Sequence, residues 1–126
     1  MKLILFVLQD AEKLLDLLSG WKEAGVSGAT VLFSTGMGRL HLTAPLLDDL
    51  PLMPSLNDFY VHDETLSRTV FTIVHDEVVG KIITVTEQIV GDLSKPGTGI
   101  LVVLPTDSVH GLIEYGKQTN ATGSSV

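Results

Sequence analysis

Apolar residues follow two periods along this chain, and the changes of period predict alternating strands and helices. Residues 2–8 form an almost uninterrupted apolar run, which is typical of a strand covered on at least one face. Large apolar residues then recur at helical spacing, at Leu14, Leu15, Leu18 and Trp21. Asp10 stands where a helix N-cap is expected and Gly25 where the helix should end, so a first β-α pair is predicted.

The rest of the pattern predicts three more strands and a second helix. Residues 28–35, 68–74 and 99–104 have strand character, the second because β-branched residues dominate it. Residues 77–90 carry apolar side chains at helical spacing over four turns, which favours a helix. A helix is predicted here although residues 82–86 have strong strand propensity. Asp76 is the predicted cap of this helix, Gly91 its end, and residues 108–113 form a short final strand.

The predicted order is β-α-β, a long loop, β-α-β and a short extra strand. Two such halves predict an α+β sandwich of the ferredoxin-like type, β-α-β-β-α-β, with both helices on one face of the sheet. The other face would meet water, so a chain that is 44% hydrophobic is expected to cover it with further subunits. One domain is expected over residues 1–116. Residues 117–126 are small and polar and predict a disordered tail.

Composition excludes several classes of function. With 15 acidic and 8 basic residues the formal net charge is −7, which argues against nucleic acid and anionic lipid as partners. The absence of cysteine excludes disulfides and thiolate chemistry and fits a cytoplasmic protein. The N-terminal apolar run is too short to span a bilayer, so no membrane insertion is expected.

Two glycine-containing motifs give the whole-chain pattern a family resemblance. A strand that opens with Gly28-Ala29-Thr30-Val31 ends at Gly36-Met37-Gly38-Arg39 and runs into a long loop. Near the C-terminus, Lys95-Pro-Gly-Thr-Gly99 precedes a strand that ends at Pro105. Over roughly residues 1–113 this order and spacing resembles the PII signalling family of nitrogen-regulatory proteins, with residues 40–67 in the place of its T-loop.

The resemblance implies a function for the glycine motifs. It implies a non-enzymatic homotrimer that binds ATP, ADP or AMP in a cleft between subunits and controls a protein partner, such as a transporter or an enzyme, through the long loop. The implied ligand-binding residues come from the two motifs: Gly28, Ala29, Thr30, Gly36, Met37, Gly38, Arg39, Lys95, Gly97, Thr98 and Gly99.

Residues that depart from the family pattern change which ligand is expected. Ile100 stands where the family has a lysine, His110 and Leu112 stand for arginines of its last strand, and Leu40 stands for a glutamine that helps hold a metal and 2-oxoglutarate. Three missing charge-assisted contacts of roughly 1.5–3 kcal/mol each would weaken ATP binding by orders of magnitude. An AMP-type ligand would need fewer cations.

The sequence of the loop over residues 40–67 can be interpreted in more than one way. It is rich in leucine and contains three prolines, and a wholly solvated connection of this length would carry fewer apolar residues. It is expected to be an arm that docks on a protein partner, a segment that folds back as short helical turns and packs on its own protein, or, between these two, a segment that bridges subunits.

Metal binding and catalysis are the remaining alternatives. The tripeptides His62-Asp-Glu64 and His75-Asp-Glu77 carry ligands that suit zinc, nickel or manganese. A trimeric metal-binding protein resembling divalent-ion-tolerance proteins is therefore the first alternative, with His62 and His75 as weak candidates, although helix capping also explains the second tripeptide. An enzyme of ferredoxin-like fold is the second alternative. Ser34 and Ser108 have no recognisable partner base, so no catalytic residue is predicted.

Overall fold

Four strands and two helices follow one another in the order β-α-β-β-α-β along the residues that the computed structural model describes, 1–37 and 66–113. The strands are β1 (Lys2–Leu8), β2 (Thr30–Ser34), β3 (Ser67–Val74) and β4 (Gly99–Pro105), and the helices are α1 (Leu14–Ala24) and α2 (Val79–Val90). A 3-10 turn precedes each helix. The strands form one antiparallel sheet in the order β2-β3-β1-β4. This α+β arrangement is compatible with the predicted ferredoxin-like fold.

Alternation of burial along the strands separates a helix-covered face from an open face. Ile4, Phe6 and Leu8 of β1 are fully buried, while the residues between them are half-buried. Phe6 pairs with Val70 of β3 and with Leu101 of β4, so the same face continues across the sheet. Because successive side chains of a strand point to opposite faces, one row of positions packs under the helices and the other does not.

The two helices meet each other through a polar contact inside the core. Trp21 of α1 is fully buried and donates its indole Nε1–H to Thr86 Oγ1 of α2 at 2.9 Å. Thr86, also fully buried, donates its hydroxyl to the Ile82 carbonyl at 2.7 Å. This pair explains why a threonine lies in a helix core and how the polar edge of a buried tryptophan is satisfied.

The open face of the sheet, on the side away from the helices, carries exposed aliphatic residues. Leu32 of β2 is 51% exposed, and the alternate residues of β4 are Ile100 at 62%, Val102 at 37% and Leu104 at 41%. The half-buried Leu3, Leu5, Val7, Phe71 and Ile73 lie between these two edges. A continuous apolar surface of this kind in a single chain is typical of an interaction site.

Most predicted elements are confirmed, with changes at their ends. The second strand begins at Thr30 rather than at Gly28, and the second helix forms in spite of its strand-like residues. The predicted N-cap Asp10 accepts a hydrogen bond from the Glu12 amide at 3.1 Å, and Gly25, with φ 117°, ends α1.

Two predictions about elements are wrong. Asp76 does not cap α2, because it lies inside the preceding 3-10 turn (Asp76–Val78). His75 is the N-cap of that turn and Val78 the N-cap of α2, and neither side chain makes a capping hydrogen bond. Residues 108–113 form no strand. Gly111 there has φ 91°, a left-handed conformation that extended strands do not contain, and β4 already reaches its end at Pro105.

Candidate functional site: two loops at one end of the sheet

The two predicted ligand-binding motifs lie at the same end of the sheet. Ser34, the last residue of β2, pairs with the first residue of β3. Gly36 and Met37 follow after one further residue, and both are exposed. At the other edge, Gly99 is the first residue of β4 and pairs with Leu8. Since β1 and β3 join these edges through the pair Leu8–Arg68, both motifs extend from one end of the sheet.

Within one chain the two motifs remain on opposite edges. The strand order β2-β3-β1-β4 puts three inter-strand steps between them, or about 14 Å at the usual strand spacing. A ligand the size of a nucleotide can touch one motif of a given chain, but closing a pocket around it requires other groups at each edge.

The third predicted group, Gly28 to Thr30, lies away from that end. Thr30 is the first residue of β2 and pairs with Phe71 in the middle of β3. Gly28 accepts a hydrogen bond from Thr72 Oγ1 at 2.5 Å, further towards the opposite end. Thr30 and Ser34 are four residue steps apart along an extended strand, or about 13 Å. The structure therefore does not bring Gly28, Ala29 and Thr30 to the same place as Gly36 and Met37 within one chain.

The loop between α2 and β4 is held by acidic side chains. Asp92 Oδ1 accepts from the amide of Ser94 at 2.9 Å and from its hydroxyl at 2.7 Å. Glu87 Oε2 accepts from the amide of Leu93 at 3.0 Å, and the Asp92 carbonyl accepts from the amide of Lys95 at 3.0 Å. The two hydrogen bonds from Ser94 lower the pKa of Asp92, so this carboxyl is ionised at neutral pH.

The glycines of this loop have different reasons for being there. Gly99 has φ 138°, and a Cβ at this position would meet the Val7 carbonyl oxygen at 2.4 Å and the Phe6 ring at 2.7 Å. Gly97 has φ 85° in open space. Packing against the neighbouring strand therefore requires glycine at Gly99, whereas the backbone conformation alone favours it at Gly97. Thr98, beside them, donates its hydroxyl to the Lys95 carbonyl at 3.0 Å.

Several predicted site residues lie outside the described part of the chain. Gly38, Arg39, Leu40 and His62 fall within residues 38–65, which hold nearly all of the predicted loop 40–67. The predicted tail over residues 117–126 is outside it as well.

The other residues that depart from the family pattern are described. Ile100 points to the open face, where it is 62% exposed. His110 lies after β4 with its Nε2 3.2 Å from Ser108 Oγ, and Leu112 is exposed near it. None of the three supplies a permanent cation to the loop that ends at Gly99.

In the tripeptide at residues 75–77, the aspartate forms ion pairs with the N-terminus of the chain. Asp76 lies 3.2 Å from the amino group of Met1 and 3.8 Å from Lys2 Nζ. The hydrogen bond from the amino group, helped by the charge of Lys2, lowers the pKa of Asp76. Across residues 1–37 and 66–113, no three histidine, aspartate or glutamate side chains lie close enough together to hold a metal ion.

Two groups near the end of β2 were not predicted. On the open face, the Ser34 hydroxyl lies between two others: its Oγ is 2.8 Å from Ser67 Oγ and accepts a hydrogen bond from Thr69 Oγ1 at 2.8 Å. On the helix side, the guanidinium of the nearly buried Arg68 lies 4.2 Å from the centre of the Phe33 ring. Alternation within residues 67–74 could have indicated that the hydroxyls share a face, but the pairing of β2 with β3 could not be read from either segment alone.

Comparison with known proteins adds no family to this picture. No protein-family model matches the chain, and no curated protein matches it. The PII-like resemblance therefore stays a prediction. Neither helix of the described residues is long and apolar enough to cross a membrane.

Proposed function

We propose that this chain is a PII-like regulatory protein of the cytoplasm, a homotrimer that binds a small effector between subunits and controls a protein partner. In this proposal it is not an enzyme. The effector is an adenine nucleotide with few charges, of the AMP type, and the residues after Met37 carry the contact with the partner.

One observation carries the proposal: the Gly36–Met37 motif and the loop ending at Gly99 extend from the same end of the sheet at opposite edges. A second copy that packs its sheet on the open face of the first can bring its own motif towards the edge that the first leaves incomplete. The exposed aliphatic residues of that face support such packing, because their burial removes apolar surface from water.

The charges near the loop support a ligand with few phosphates. Lys95 is the only cation among residues 87–99, which also contain two carboxylates. ATP carries more negative charge than one lysine and one arginine can balance, whereas a single phosphate needs only one or two such partners. Arg39 follows the Gly36–Gly38 motif in sequence and is proposed as the second cation.

Thermal unfolding in the presence of ligands tests this function. The purified protein is heated with ATP, ADP, AMP, 2-oxoglutarate or no addition. We expect AMP to raise the midpoint, since ligand at about 100 times Kd adds roughly 2.7 kcal/mol to the free energy of unfolding. Arg39→Ala should remove the rise, whereas Lys22→Ala, which removes an exposed cation of α1, should retain it. Equal midpoints with every nucleotide would reject the proposed ligand class.

A deletion separates the proposed role of the loop from a structural one. Removing residues 44–62 should leave the number of subunits in the oligomer unchanged, because β2 and β3 are already paired from Ser34–Ser67 onwards. Binding of nucleotide should also persist. Dissociation of the oligomer on deletion would show instead that this segment holds the subunits together.

A further inference from the structure

A groove open to solvent lies between the two helices, where the end of α1 meets the start of α2. It has a volume of about 340 Å³, and its lining includes Glu23 and Ala24 of α1 and Gly80, Lys81 and Val85 of α2. This volume is at the lower end of the range of small-molecule sites, roughly 300–1,000 Å³. None of these residues belongs to the two glycine motifs, so the groove is separate from the proposed effector site.

We propose that this groove binds a free α-amino acid with an aliphatic side chain. Lys81 binds the carboxylate of the ligand, Glu23 binds its ammonium group, and Val85 and Ala24 contact its side chain. This second ligand site goes beyond the proposed function and does not depend on it, because it uses other residues and another class of ligand.

Opposite charges stand on the two walls of the groove. Glu23 on α1 and Lys81 on α2 are both exposed, and within the described part of the chain neither side chain makes an ion pair or a hydrogen bond. A ligand that satisfies both must carry an anionic and a cationic group close together, as an amino acid does. A phosphate group would be repelled by Glu23, and one carboxylate is too few ligands for a metal ion.

Both charges are at helix ends where they lower the stability of the helix. Glu23 is in the last turn of α1, and Lys81 is in the first turn of α2. The end of a helix carries a partial negative charge and its start a partial positive charge, so each side chain faces a partial charge of its own sign. A bound amino acid relieves this conflict, because its ammonium group lies at the end of α1 and its carboxylate at the start of α2.

Gly80 leaves the groove open although packing does not require a glycine there. A Cβ at Gly80 would meet nothing within 4 Å, whereas a Cβ at Gly20 would meet Ile89 Cδ1 at 2.9 Å. Glycine in a helix is less favourable than alanine. The contact between the helices therefore explains Gly20, and the close approach of a ligand to the backbone of α2 explains Gly80.

Amide NMR spectra of the ¹⁵N-labelled full chain, titrated with L-valine, L-leucine and L-alanine, test the site. We expect saturable shifts of the amides of Ala24, Gly80 and Lys81 below roughly 10 mM amino acid, a concentration above the usual range of metabolite affinities. L-Valinamide lacks the carboxylate and N-acetyl-L-valine lacks the ammonium group. Each should bind about five- to tenfold more weakly than L-valine, because it loses one charge-assisted contact.

Variants of the groove separate ligand binding from stability. Glu23→Gln and Lys81→Gln should each weaken L-valine binding about five- to tenfold. Each should also raise the thermal midpoint, because it removes a charge that its helix end disfavours. The matched control is Lys22→Gln, which removes a charge of the last turn of α1 that does not line the groove. It should retain binding and should not raise the midpoint. Gly80→Ala, which adds a methyl group to the groove, should weaken binding.

The possible outcomes either support the amino acid site or overturn it. Saturable shifts in the groove that weaken in Glu23→Gln and in Lys81→Gln support it. The absence of saturable shifts with all three amino acids would overturn it, as would equal affinities for L-valine and its two blocked derivatives. Variants that gain stability but bind L-valine like the original protein would show that the two charges do not contact the ligand. Titration with AMP tests the proposed function separately, because its expected shifts lie at the glycine motifs.

Discussion

Gly99 shows at the scale of one residue how packing, rather than ligand binding, can fix an amino acid. The sequence motif around it suggests a phosphate-facing glycine, and the resemblance to PII proteins suggests the same. The structure gives this residue a different task, because β4 begins there with φ 138° and passes directly over the Val7 carbonyl and the Phe6 ring. No side chain fits between the two strands at this point.

We predict that Gly99→Ala lowers the free energy of unfolding by about 2–4 kcal/mol, from the positive φ and the forced shift of a neighbouring backbone. The control is Gly80→Ala on α2, where a Cβ meets nothing within 4 Å; helix propensity should make that change neutral or stabilising by up to about 1 kcal/mol. Urea unfolding at one protein concentration measures both. Equal midpoints for Gly99→Ala and the original protein would contradict the geometry given for β4.

At the scale of elements, the period of the apolar residues and the positions of the glycines were enough to predict most of the strands and helices. β1 was predicted with its observed limits, and α2 was recognised because apolar spacing persisted through a segment rich in β-branched residues. The sequence pattern could not show which residues meet across long distances in the chain, and some features depend on those contacts. Thr86 has a reason to be in a helix only once Trp21 is known to face it, 65 positions earlier in the chain.

The two wrong predictions have the same origin. Asp76 was expected to cap α2 because local sequence favours it, but the charges of Met1 and Lys2 lie beside it in the folded chain. Residues 108–113 have strand-like composition, yet a strand forms only where a neighbouring strand pairs with it. Both depend on contacts that no local window contains. In the same way, the opposite-edge placement of the two glycine motifs follows from strand order and not from either motif.

The contact between the helices gives a prediction at this scale. Thr86→Val has nearly the same shape but removes the acceptor of the buried Trp21 Nε1–H, so we expect a loss of about 1–3 kcal/mol in the free energy of unfolding. Thr86→Ser keeps the hydroxyl and should lose less. Fluorescence of the single tryptophan follows unfolding and reports its surroundings. A valine variant as stable as the original would mean that the indole N–H finds another acceptor.

For the whole molecule, the open face and the two separated motifs lead to one conclusion. The chain has a covered face with a well-packed core and an uncovered face of aliphatic residues. Its predicted ligand motifs share an end of the sheet but not an edge. Self-association through the open face would bury those residues and bring motifs of different copies towards each other, and this is the central claim of the proposed function.

The most direct test is the molar mass in solution, measured by light scattering during size-exclusion chromatography. We predict three times the chain mass of 13.5 kDa. We also predict that Val102→Glu, on the open face, lowers the measured mass towards that of a single chain, because an interface cannot bury an unpaired charge. Leu15→Glu, at a residue 78% exposed on α1, should leave the trimer intact. An original protein that elutes as a monomer at tens of micromolar, or a trimer unaffected by Val102→Glu, would contradict the proposed association through the open face.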